Sequence, residues 1–402
     1  MDSITAGKTA AIIAEYNPFH NGHQLHISRT RELLGAAFTV IIMSGNFVQR
    51  GECAVADKFS RTRMALAGGA DLVLELPLPF ACAGAEKFAM GGVEIADALG
   101  CVDYLSFGME CDRTAELKEA ANALSDGGIK PVLDRLLAGG MSFASARTEA
   151  VRRNCGDEIA DILCSPNNTL AVEYIRALDR LHSDILPAGI QREGAAHDSD
   201  EIAGDIASAT AVRKMISEGR PDAARRYIPP TSFRELECLM KAGEAPADMK
   251  HCERAILSRL RSMTREQLSL LPDISEGLEN RIFDCARSAC SLESLYDAVK
   301  SKRYSHARIR RIILSAFLGI REEHSRGLHY IRILGMNEKG KKLLSVANPQ
   351  LPLISSYRQA MALPEEGRRQ YLLECHADDL WGLMTPIIQP CGADMTAKLT
   401  VI

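Results

Sequence analysis

Four short apolar runs open the chain: "TAAIIA" (9–14), "FTVIIM" (38–43), "DLVLEL" (71–76) and "VDYLSF" (102–107). Between them, over 22–34, 57–68 and 84–98, apolar positions recur every three or four residues. This rhythm constrains the fold strongly. Each strand-length run is followed by a helix-length one, so the strands are expected to lie parallel in one open, doubly wound sheet. The runs are continuous rather than alternating, which is the pattern of strands covered by helices on both faces. Residues 114–182 read as mostly helical with breaks at "DGG" and "GGMS", and "ILPAGI" (185–190) reads as the last strand.

From about residue 219 the alternation stops and one helix follows another to about residue 327. The prolines of "GRPDAARRYIPP" interrupt the periodicity there and mark a boundary. The expected organisation is an α/β domain over 1–218 with a Rossmann-like parallel sheet, then a mainly α-helical domain over 219–402. "HYIRILGMNEKGKKLLS" (329–345) reads as a small strand and a turn returning to a helix, and the last 50 residues, with the single tryptophan Trp381, carry no pattern that places them.

The 402 residues carry a net charge of -4, so a nucleic-acid site must be a local patch. The 12 cysteines are scattered, without Cys-x-x-Cys or zinc spacing, as reduced core thiols are. The first residues lack a signal-peptide layout and no apolar run approaches about 18 residues. A cytoplasmic protein with no membrane span and no resident metal is expected.

The first strand leads into "EYNPFHNGH" (15–23). Ligands of doubly wound sheets bind where strands end and loops enter helices. Gly22 lets the backbone turn closely there, and the helix N-terminus that follows offers N–H groups and a positive dipole to an anion. His20 and His23 can donate hydrogen bonds to phosphate oxygens as charge builds in a transition state. A helix cap with incidental histidines is the blander reading, and it does not account for the combination. The pattern His-x-Gly-His resembles that of the nucleotidyltransferase superfamily, whose members bring the α-phosphate of a nucleoside triphosphate under attack. A candidate for a second element holding the β- and γ-phosphates is "SATAVR", with Ser208, Thr210 and, one helical turn on, Arg213, although Ser and Thr here are equally natural helix N-caps.

Other rim positions offer donors. "MSGNFVQRGECAVADKFSR" carries Gln49, Arg50, Lys58 and Arg61, which are either phosphate contacts or exposed loop charges. Gly108 in "FGME" would let a nucleoside approach the backbone, and Asn167 and Asn168 in "SPNN" are either helix caps or nucleotide ligands. No Walker A, G-x-G-x-x-G or Ser-His-Asp arrangement is present. In the helical half, "KSKRYSHARIRR" (300–311) holds Lys300, Lys302, Arg303, Arg308, Arg310 and Arg311 without an acidic residue. A solvated helix face is the ordinary meaning of such a run. The lack of acids and the adjacent Tyr304, available for stacking, point instead to a nucleic-acid backbone contact.

Taken in order, "AEYNPFHNGHQLH", "IMSGNFVQRGECAVADKFSRTRMAL", "GADLVLELP", "FGME", "SPNNTLAVEY", "IASATAVRKMI", "SKRYSHARIRRI" and "YIRILGMNEKGKKLL" resemble the bacterial tRNA(Met) cytidine acetate ligase family. The resemblance implies a ligase that uses ATP and acetate to make acetyl-adenylate and then acetylates N4 of the wobble cytidine of elongator tRNA(Met). It implies ATP contacts at Ala14, Glu15, Tyr16, Asn17, Pro18, Phe19, His20, Asn21, Gly22 and His23, and at Gly108, Asn167 and Arg192 in "GIQREG". His20, His23 and Lys58 would act at the phosphate undergoing attack, with the Ser208–Arg213 element beside them and Mg²⁺ accompanying the triphosphate. The chain departs from the family at Ala11, where a glycine is usual. It departs again in "GAAHD", where an aromatic and a serine pair normally precede the counterparts of His197 and Asp198. A small-molecule adenylyltransferase sharing His-x-Gly-His, or an RNA-binding protein that has kept the fold without catalysis, are the alternatives.

Overall fold

The fold is taken from a computed structural model that describes residues 7–110, 113–191, 202–275 and 277–402. The expected alternation is present. Strand β1 (Thr9–Ala14) leads to helix α1 (Asn21–Leu34), β2 (Phe38–Ser44) to α2 (Lys58–Ala67), and β3 (Leu72–Leu76) to α3 (Ala85–Ala98). Strand β4 (Tyr104–Met109) is followed by helices over 114–162, then α4 (Pro166–Leu181), β5 (Leu186–Gln191) and α5 (Ala209–Ser217). The five strands are parallel in the order β3-β2-β1-β4-β5. Their register aligns Ala14 with Met43, Ser44 with Leu76 and Met109 with Gln191, so all five carboxyl ends open on one rim. Successive β1 residues face opposite layers: Ala11 packs with α3 and α4, and Ile12 with α1, α2 and α5.

The remainder is mainly helical and includes helix α6 (His306–Leu318), whose apolar side belongs to a separate core with Leu295, Tyr296 and Trp381. The expected boundary near residue 219 does not mark the end of the sheet. Strand β6 (Ile331–Met336) adds to it antiparallel to β3, with Arg332 opposite Glu75. Strands β7 (Leu353–Ile354) and β8 (Thr400–Val401) pair in parallel with β6, and helix α7 (Glu365–Trp381) packs between them in sequence. The segment that sequence pattern leaves unplaced is therefore built onto the sheet, and Trp381 donates its indole N–H to the Ala54 carbonyl at 2.9 Å.

This arrangement corrects the reading of Lys58. Its ammonium is fully buried, 2.6 Å from Glu75, 2.8 Å from Asp378 and 3.3 Å from Asp394, and it does not line the cavity at the strand ends. Arg332 joins the cluster, 2.9 Å from Glu75 and 2.8 Å from Asp394. Arg61 is also buried, donating to the carbonyls of Glu15, Ser44, Gly45 and Ala56, so it is neither a loop charge nor a phosphate contact. Burial pushes the Asp378 carboxyl up to about 8 against the pull of Lys58, and it lifts Glu374 well above the carboxylate range. Burial also disfavours charge on Asp394, but Lys58 and Arg332 more than offset it and hold that carboxyl below its usual range.

Two outcomes test the cluster. Arg332→Met leaves Glu75 and Asp394 short of a cation in a dry site and lowers the unfolding free energy by about 3–5 kcal/mol in urea titration. Folded Asp378 keeps a proton from pH 3.8 to about 8, where the unfolded chain has released it, so its contribution to stability falls as pH rises through that window. Asp378→Asn flattens the decline of unfolding free energy between pH 6 and pH 9, read in the same titrations.

Candidate active site

A cavity of about 750 Å³ lies on the rim of strand ends. Its wall is drawn from the β1 exit (Ala14, Glu15, Tyr16, Asn17), the start of α1 (His20, Gly22, His23) and the end of β4 (Gly108). Asn167 at the start of α4, Gln49 and Arg50 after β2, and Arg310 and Arg311 of α6 complete it.

The "EYNPFHNGH" turn holds its histidines by backbone capping. His20 is the N-cap of α1, and its Nδ1 accepts the Gly22 N–H at 3.1 Å, while His23 Nδ1 accepts the His20 N–H at 3.3 Å. A neutral imidazole whose Nδ1 accepts must carry its hydrogen on Nε2. Capping thus sets both rings in the same tautomer, with the rings stacked at 3.7 Å between centroids and both lining the cavity. Tyr16, at φ 47, bends the chain through the left-handed region and sets its ring 4.7 Å from that of His23. A non-glycine residue held there costs on the order of 1–3 kcal/mol, a strain that clusters at functional sites. Next to it, burial raises the Glu15 carboxyl above its usual range, although the Gln49 N–H, 2.9 Å away, pulls the other way.

The other expected residues divide. Gly108 and Asn167 line the cavity, and the Asn167 amide also donates to Glu110 at 3.1 Å. Pro18, Phe19 and Asn21 shape the turn without lining the cavity. Phe19 is in the core with Tyr16, and the Asn21 amide donates to the carbonyls of Asp205 (2.9 Å) and Arg226 (3.0 Å). Ser208 caps α5, its hydroxyl accepting the Ala211 N–H at 3.0 Å. Arg213 donates to Thr210 Oγ1 at 3.2 Å and to the Asn17 carbonyl at 3.0 Å, which ties the "SATAVR" turn to the histidine turn. Arg192, His197 and Asp198 lie outside the described residues.

The basic run is not free of acids in space. Arg310 pairs with Glu52 at 2.5 Å, and Arg311 with Asp273 at 3.2 Å. Arg308 donates to the Asp273 carbonyl and to Ser275 Oγ at 2.7 Å. Tyr304 is buried, with its ring 5.2 Å from the Arg308 guanidinium carbon, so it offers no face for a base to stack on. Lys300, Lys302 and Arg303 are the exposed members.

Residues that sequence reading passes over also form the wall: His26, Arg29, Phe88, Arg147 and Tyr174. His26 follows His23 by one helical turn, and its Nε2 lies 3.0 Å from Ser106 Oγ. Five buried side-chain atoms with no hydrogen-bond partner belong to wall residues: Tyr16 Oη, Asn17 Nδ2, Gln49 Nε2, Arg147 Nε and Arg310 Nε. A buried donor left unmatched costs about 1–3 kcal/mol, so such a concentration in one cavity marks a site shaped for a polar ligand. Among the described residues, no group of three or more His, Cys, Asp or Glu side chains could hold a metal ion, and no helix is long and apolar enough to cross a membrane.

A parallel sheet of this order, with His-x-Gly-His capping the helix after its central strand, defines a nucleotidyltransferase, and the sequence model of the HIGH Nucleotidyl Transferase family matches residues 7–393. The tRNA(Met) cytidine acetate ligase of Thermoanaerobacter sp. (strain X514) is 39% identical over 362 residues, covering 87% of this chain and 90% of its own length. That of Acetivibrio thermocellus is 36% identical over 414 residues, covering 98% and 100%. The crystal structure of Thermotoga maritima TmcAL (apo, form I) superposes with a TM-score of 0.94 at 34% identity, over 98% of this chain and 99% of that one. The form bound with alpha-thio ATP gives a TM-score of 0.91 at 33% identity, over 98% and 100%. The chain belongs to the tRNA(Met) cytidine acetate ligase family.

The junction that brings α6 to the cavity depends on Gly51. At φ 76 its backbone is left-handed, and a Cβ there would lie 2.5 Å from the Arg311 backbone nitrogen. Gly51→Ala forces turn and helix apart and lowers stability by about 1–3 kcal/mol, measured by thermal unfolding.

Proposed function

We propose that this chain is an ATP-dependent ligase that activates acetate as acetyl-adenylate and transfers the acetyl group to N4 of the wobble cytidine of elongator tRNA(Met). The observation that carries the reading is the capped His20–His23 pair lining a cavity of unmatched donors, in a chain whose relatives bear this activity in their names. ATP lies along the histidine turn, with Gly108 and Asn167 beside the nucleoside and the Ser208–Arg213 element beside the β- and γ-phosphates. Mg²⁺ would accompany the triphosphate as counter-charge.

An acetate oxygen attacks the α-phosphorus, the bond to the bridging oxygen breaks, and its electron pair leaves with pyrophosphate. The two Nε2–H groups meet the charge that gathers on the α-phosphate oxygens, and they are held ready for it by backbone bonds on the other ring nitrogen. In the second step the cytidine amine attacks the acetyl carbonyl, the carbonyl–oxygen bond to phosphate breaks, the amine loses a proton, and AMP departs. The anhydride is already activated, so no protein nucleophile is required. Lys300, Lys302 and Arg303 contact the tRNA backbone outside the cavity, and the base must leave its stack to enter. The reaction assigns the protein to the cytoplasm, with its tRNA.

Acetate-dependent exchange of pyrophosphate into ATP, followed by label transfer from acetate to tRNA(Met), tests the proposal. Both are expected, and His23→Asn lowers the exchange rate by about 10²–10³-fold. Exchange that ignores acetate and needs a phosphorylated small molecule would identify a cofactor adenylyltransferase instead. RNA binding with no turnover would identify a non-catalytic binder.

A further inference from the structure

We infer that Gln49 and Arg310 form the pocket for the small carboxylate that attacks the nucleotide, an inference that rests on the ligase reading above. The two residues come from distant parts of the sequence, and the Gly51 junction brings them together. A Cβ on Gly51 would lie 2.6 Å from the Arg310 carbonyl carbon and 2.9 Å from its Cβ, so the turn after β2 and the start of α6 touch backbone to backbone. Gln49 is fixed through its own N–H, which donates to Glu15 at 2.9 Å. Arg310 is fixed on Glu52 at 2.5 Å and lies with its guanidinium carbon 5.3 Å from the centre of the Tyr296 ring. Each side chain lines the cavity and keeps one buried nitrogen donor without a partner, Nε2 of Gln49 and Nε of Arg310.

Two unmatched donors on two segments of the wall that meet at Gly51 suit a ligand with two acceptor oxygens and no hydrogen to give, which describes a carboxylate. Their position fits the attacking group rather than the leaving one. The Ser208–Arg213 element belongs to α5, which packs with α1 on one face of the sheet. Arg310 enters from α6 beside Arg311, whose Nη2 would lie 3.8 Å from a Cβ on Gly84, the residue before α3 on the opposite face. Pyrophosphate leaving toward α5 requires the nucleophile to stand on the far side of the α-phosphorus, in line. Ile13, Ala85 and Phe88 line the cavity on that far side and supply an apolar wall for a methyl group. In the step served, one carboxylate oxygen forms the bond to phosphorus, the phosphorus–oxygen bond to pyrophosphate breaks with its electron pair, and no proton moves.

The test uses the full chain and acetate-dependent pyrophosphate exchange. Gln49→Leu and Arg310→Met are each expected to raise the KM for acetate about ten- to hundredfold, the loss of one hydrogen bond to a charged group. The KM for ATP and the Kd for tRNA(Met) stay within about twofold of wild type by the same criterion. Gln49→Glu keeps the shape of the side chain and sets a like charge against the substrate, so it raises the acetate KM further than Gln49→Leu. This holds the inference open to test even if an Arg310 variant folds poorly in thermal melts. An unchanged acetate KM in Gln49→Leu and Gln49→Glu, or a rise confined to the ATP KM or the tRNA Kd, would overturn it. Wild-type protein with no acetate-dependent exchange would overturn the ligase reading itself, a separate and earlier result.

Discussion

Everything in this chain is organised around a charge cluster kept out of water. Lys58 and Arg332 are buried against Glu75, Asp378 and Asp394, with Glu374 close by accepting the Leu78 N–H at 2.5 Å. Such a cluster is tolerable only when every charge is matched, since one cation removed leaves carboxylates stranded in a low-dielectric site. Matching requires α2, β3, β6, α7 and the segment around Asp394 to arrive together. The cluster therefore fixes where the C-terminal part docks, at the same rim of strand ends that carries the cavity.

This also explains what could be read from the sequence. The five parallel strands were legible because their apolar runs are continuous, and β6 was legible as a strand. Which edge β6 would join was not, since an antiparallel edge strand carries no local mark of its partner. Lys58 and Arg61 near a strand end read as solvent or ligand contacts because their partners, Asp378 and Asp394 for one and carbonyl groups for the other, have no signature near them in sequence. The basic run looked free of acids for the same reason: Glu52 and Asp273 meet it only in space. His20 and His23 were legible because their spacing, the glycine and the strand–turn–helix context all fall within nine residues. Phe88, Arg147 and Tyr174 were not, because on their helices they look like packing.

The turn after β2 links these systems. Asn46 accepts the Lys58 N–H at 2.6 Å and donates to Asp378 at 3.0 Å, so it serves the cluster. Gln49 holds the Glu15 carboxylate at the mouth of β1, Gly51 meets the backbone of α6, and Glu52 pins Arg310. One short turn thus transmits the position of the buried charges to the cavity wall and to the helical half. A shift in any of the three would be felt by the other two.

Helix α6 has two faces with separate duties, its apolar residues in the helical core and Arg310 and Arg311 in the cavity wall. The helical half therefore supplies part of the cavity wall. Lys300, Lys302 and Arg303 lie just before this helix and are exposed outside the cavity that Arg310 and Arg311 line. A cut between the two halves would therefore open the cavity wall on one piece and strand part of the buried charge cluster on the other.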